Sequence, residues 1–135
     1  MDLIVLKGII DEEYIALKKL LELLDKQYKL IMSNNPIEVE SIVDEIKLCN
    51  REIAELEVKR RGILKGSSLK EIIFNSKDKA LEEVFRETKK LVELLKLQKE
   101  SNELLLKQQI SYNAKMLMIL NPNRQAKTYN SYGRI

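Results

Sequence analysis

Three observations predict an all-α fold: apolar residues recur in heptad-spaced seams, turn-forming residues are scarce, and hydrophobic and charged positions are mixed throughout. The expected architecture is an antiparallel up-down-up three-helix coiled-coil bundle with a long last helix and a flexible C-terminal tail. Of 135 residues, 44% are hydrophobic and 33% charged, enough for one domain to bury a core. Only four glycines and two prolines are present, so long uninterrupted elements are favoured over many short ones.

The first seam runs through Ile10, Tyr14, Leu17, Leu21, Leu24, Tyr28 and Ile31 in alternating steps of four and three. Ile9, Ala16, Leu20, Leu23 and Leu30 widen it, which predicts a helix over about 3–32 that touches two neighbours. Ser33-Asn34-Asn35-Pro36 stops it, because Asn and Ser bond locally and Pro36 fits only the first turn of a following helix.

A second seam, Val39, Ile42, Ile46, Cys49, Ile53, Leu56 and Ile63, is broken only at Arg60 and predicts a helix over 37–65. Acidic residues near its start and Lys59, Arg60, Arg61 and Lys65 near its end suit the helix dipole. Gly66-Ser67-Ser68 ends it, and a short helical piece over 69–74 is expected to fold over the end of the bundle. The longest element is expected over 77–120, with a seam through Leu81, Val84, Thr88, Leu91, Leu95, Leu105, Tyr112, Met116 and Ile119 that turns polar at Gln98, Asn102 and Gln109. Short connections make neighbouring helices antiparallel. The domain reading is thus a helical bundle over 1–120 and a flexible basic tail over 121–135, where Pro, Asn, Ser and Gly show no periodicity.

Composition bears on function chiefly by exclusion. There is no histidine, the usual general base at neutral pH, and the single cysteine, Cys49, gives neither a disulfide framework nor a Cys/His metal cluster. No Gly-rich phosphate loop and no nucleophile beside a base is found, so the chain reads as no enzyme, with no cofactor and no metal. Carboxylate clusters such as Asp11-Glu12-Glu13 and Glu82-Glu83 read as solvated charge pairs on helix faces. Lys59-Arg60-Arg61 reads as a helix-ending cation run rather than a nucleic-acid contact. No membrane insertion is expected, since no stretch approaches the roughly 18 consecutive apolar residues of a span. A lone thiol and a Met1 end without a charged, then apolar leader are expected of a cytoplasmic protein.

Charge is distributed unevenly. The last acidic side chain is Glu103; beyond it Lys107, Lys115, Arg124, Lys127 and Arg134 carry the only charges. That end reads either as a solvated tail or as a surface for an acidic partner. Beside it lies Met116-Leu117-Met118-Ile119-Leu120, apolar all round, and a helix without a polar face is normally covered. Methionine suits surfaces that accept several apolar partners, and equally suits a core. Cover comes either from within the chain, if the 69–74 piece shifts the long helix, or from a partner.

The same region carries a family resemblance. Asn102, Leu105, Leu106 and Gln108, then Met116, Leu117 and Leu120, Asn121-Pro122, Thr128-Tyr129 and Gly133 are similar to the closing pattern of the FlgN-type flagellar export chaperones. The resemblance implies a chaperone that binds the C-terminal amphipathic helical segments of the hook-filament junction proteins. It would prevent their premature assembly and bring them to the cytosolic domain of the export gate. An amphipathic helix packs its apolar face into a groove, and the candidate lining is Leu105, Leu106, Ile110, Met116, Leu117, Met118 and Leu120. The candidate gate contact is Tyr129 with Arg124 and Lys127. Without cargo such a chaperone is expected to be monomeric or a weak homodimer. The alternative from another class is a structural coiled-coil protein that buries the Met116 to Leu120 patch in its own dimer; a nucleic-acid-binding protein would show steep salt dependence.

Overall fold

A computed structural model of the chain describes residues 2–121. Among these the chain is all-α, with α1 over Leu3–Met32, α2 over Pro36–Leu64, α3 over Leu69–Asn75 and α4 over Lys79–Leu120. Four discrete helices stand where a three-helix coiled coil was expected. The physical reason lies between α2 and α4, where the short segment has its own caps and its own core residue. The Ser68 hydroxyl accepts from the Glu71 N–H at 3.4 Å, and Ile73 is completely buried.

The other boundaries follow from capping chemistry. The Asp2 carboxylate accepts from the N–H groups of Ile4 and Val5, satisfying two of the orphan donors at the start of α1. Asn34 takes a left-handed φ of 55°, and Asn35 then caps α2 through Glu38 N–H with Pro36 in its first turn. At the far end Lys65 and Gly66 are both left-handed, so α2 stops at Leu64. Lys77, also left-handed at φ 58°, cannot belong to a helix, and α4 begins only after the Asp78 carboxylate has accepted from Leu81 N–H at 3.1 Å.

The chain divides into two compact units, 1–99 and 100–135. In the first, α1 and α2 form a close antiparallel hairpin: Glu13 meets Arg60, and the Cys49 thiol donates to the Ala16 carbonyl at 3.4 Å. The first half of α4 runs in the same direction as α1. Lys7 pairs with Asp78 at 2.6 Å at one end, and Leu24 packs with Leu91 and Leu95 further along. At the α3 end, Leu6, Ile10, Leu64, Ile73 and Leu81 form a core to which each of the four helices contributes. The rings of Phe74 and Phe85 meet edge to face at 6.1 Å, fastening α3 to α4.

One polar contact lies within this packing. Glu13 is buried, not solvated with its neighbours Asp11 and Glu12, and Arg60 reaches it at 3.2 Å from the position that interrupts the α2 seam. Burial pushes the Glu13 carboxyl above its usual range, and the Arg60 charge pulls it partly back. The Arg60 Nε is itself buried with no protein acceptor, so the guanidinium is incompletely compensated. Arg60→Met should cost about 2–3 kcal/mol in urea unfolding, because it strands a buried carboxylate, and adding Glu13→Leu should recover most of the loss. With its folded pKa above the unfolded one, Glu13 detracts from stability as pH rises through that window, so the Arg60→Met deficit should shrink in acid.

The Lys7–Asp78 clamp behaves with the opposite sign. The hydrogen bond from Lys7, followed by the one from Leu81 N–H, holds the Asp78 carboxyl below the ordinary carboxylate range. Its contribution is therefore complete above the unfolded carboxylate pKa and is lost as pH falls through the lowered folded value. Asp78→Asn keeps the helix cap but removes the charge, so its melting temperature should lie below wild type at neutral pH and converge with it in acid.

Candidate functional site

Within the second unit, the described chain is the last part of α4 and Asn121. At 100° per residue its side chains sort into two faces. One carries Asn102, which is buried, and Leu105, Leu106, Gln109, Ile110 and Ala114, which are half-buried. The other carries Leu104, Lys107, Gln108, Ser111, Tyr112 and Lys115, all exposed. From Lys115 to Leu120 the distinction ends and every side chain is exposed.

The residues that the sequence singles out for cargo therefore fall into two groups. Leu105, Leu106 and Ile110 share the half-buried face. Met116, Leu117, Met118 and Leu120 encircle the helix end, with exposures rising from 36% at Met116 to 73% at Leu120. They are not one groove wall; they are a half-covered stripe followed by an open apolar end. Of the two ways to cover the Met116 to Leu120 stretch, cover from within the described residues is not the one realised. The gate candidates Arg124, Lys127 and Tyr129 lie outside the described residues.

Leu104 and Tyr112 were missed by the sequence reasoning as site residues, yet they are 57% and 63% exposed. Tyr112 had been placed in the core seam. The signal that separates them was available: Leu104 to Ser111 to Lys115 to Met118 is a second stripe at steps of seven, four and three, on the side away from Leu105 and Gln109.

Nothing in the described residues sets up reaction chemistry. No group of His, Cys, Asp or Glu there has the spacing to hold a metal ion, and Cys49 is buried, which pushes its thiol above the usual range and away from the reactive thiolate. A cleft of about 610 Å³ in the first unit is lined by Ile10, Phe85 and Val92 with the Glu13–Arg60 pair. No helix of the described residues is long and apolar enough to cross a membrane.

The described chain is thus all-α, and its last helix ends in five exposed apolar side chains, Met116 to Leu120. A family model described as FlgN protein matches residues 1–135, the whole sequence, and the chain belongs to the FlgN family. Members of that family are non-catalytic, cytoplasmic chaperones of flagellar type III protein export. No curated protein and no solved structure matches the chain.

Because Leu117 and Met118 are exposed, Leu117→Asp with Met118→Asp should leave the free energy of urea unfolding of the free protein within about 0.5 kcal/mol of wild type. A loss comparable to that of a core truncation, several kcal/mol, would show that this end is packed in solution.

Proposed function

We propose that the chain binds the C-terminal amphipathic helical segments of the hook-filament junction proteins, keeps them from assembling early and delivers them to the cytosolic domain of the export gate. The observation that carries this reading is the open apolar end of α4, Met116 to Leu120, in a chain of the FlgN family. Exposed side chains of this kind gain roughly 25 cal/mol for each Å² they remove from water, so an incoming apolar helix stripe supplies its own driving force. Met116 and Met118 adapt to differing partner side chains, as a chaperone with two cargoes requires.

In this reading Leu105, Leu106 and Ile110 extend the docking surface along the half-buried face, and Arg124, Lys127 and Tyr129 contact the gate. The free chaperone is monomeric or a weak homodimer. A second reading, a structural coiled coil without cargo, draws on the same exposed residues, since a second copy of α4 covers them equally well.

Calorimetric titration of the full chain with a junction-protein C-terminal segment from the same cell separates the two. Saturable binding with a negative heat-capacity change, lost in the Leu117→Asp, Met118→Asp variant, is the expected outcome. A stable homodimer that ignores the segment is the result of the second reading. The gate assignment has its own check: Tyr129→Ala should retain cargo affinity and lose binding to the gate domain, and unchanged binding of both would remove Tyr129 from the contact.

A further inference from the structure

Two apolar groups seat α4 in the first unit, and no residue belongs to both. At the α3 end Leu81 packs with Leu6, Ile10, Leu64 and Ile73, and Val84 and Phe85 lie against them. The Phe74 ring and the Lys7–Asp78 pair fasten the same end. Further along, Leu91 and Leu95 pack with Leu24. The level between these groups is built differently. Thr88 takes the seam position there, and its hydroxyl donates to the Val84 carbonyl at 2.7 Å, the acceptor four residues back that the helix backbone also uses. A threonine bonded in this way weakens a helix slightly and favours bending. Thr88 shares the cleft of about 610 Å³ with Ile10, Phe85, Val92 and the Glu13–Arg60 pair. That pair adds little net stability over apolar packing, and the Arg60 Nε is buried beside it with no protein acceptor.

We infer that α4 is hinged at Thr88: residues 89–99 lift from the α1–α2 hairpin as a unit of their own while the α3 end stays closed. Continuous apolar packing makes neighbouring layers open together, because loosening one strips contacts from the next. Where a layer holds a cleft and a buried ion pair instead, that coupling is lost and the fold opens in parts. Opening at Thr88 leaves the Leu81, Ile73 and Lys7–Asp78 contacts in place. It uncovers Leu24 together with the half-buried Leu17, Leu20 and Leu21, apolar surface that the closed molecule keeps from water.

Native-state hydrogen exchange of the full chain, in urea below the unfolding midpoint, reads this opening, because a short helical stretch without its packing does not keep its hydrogen bonds. In wild type the amides of 89–99 should exchange on the order of a hundredfold faster than those of Ile10, Leu64 and Phe85. Ile73→Val removes one buried methyl group from the α3 end; it should speed exchange at Ile10, Leu64 and Phe85 by roughly two- to tenfold and leave 89–99 at the wild-type rate. In a Glu13→Leu, Arg60→Met, Thr88→Val background the intervening level is apolar, and Ile73→Val should then speed both sets alike. Equal acceleration of both sets in the wild-type background would show a single cooperative unit and overturn the hinge. Independence that persists in the apolar background would overturn it as well, since the break would then not lie at Thr88.

Discussion

Water is a poor neighbour for a helix that has no polar side, and the last turn and a half of α4 has none. The five residues from Met116 to Leu120 are exposed together, and scattered single apolar side chains on a surface would need no explanation, whereas a contiguous cuff of them does. The helix that carries it, α4, is 42 residues long, and its first part is locked into the first unit, where Leu91 and Leu95 pack against Leu24.

The locking is done by unlike contacts at either side of the first unit. Where α3 folds over, Leu6, Ile73 and Leu81 are buried almost completely, and the Lys7–Asp78 pair ties the start of α4 to the start of α1. Further along, Leu91 and Leu95 seat against Leu24. Between these lies the Glu13–Arg60 pair, whose desolvation offsets much of its attraction, so that it adds little net stability over an apolar pair of similar volume. The pair sets Glu13 of α1 opposite Arg60 of α2 at 3.2 Å.

Much of this was legible in the sequence because helix ends are written in local chemistry. Asn35-Pro36, Gly66 and Ser68 each specify a stop or a start through their own hydrogen bonds or backbone freedom, without reference to distant residues. The helical class followed from periodicity for the same reason. What escaped was anything set across helices. Glu13 looks solvated beside Asp11 and Glu12, but it also sits four residues after Ile9 and three before Ala16, on the widened apolar stripe. A charged residue at that position, and Arg60 alone in another seam, should have suggested each other. The core role assigned to Tyr112 failed because periodicity names two faces of a long helix without saying which one is covered. The apolar end itself was visible in composition, and its exposure at Met116 to Leu120 was not, because periodicity does not say what lies beside a helix end.

Hydrogen–deuterium exchange of the full chain, free and saturated with a junction-protein C-terminal segment, tests the central claim most directly. In the free protein the amides of residues 104–120 should exchange faster than those around Leu24, Leu91 and Leu95, and cargo should slow them while leaving α1 and α2 unchanged. Protection confined to the first unit, or a free protein whose 104–120 amides are already as slow as the core, would contradict the account.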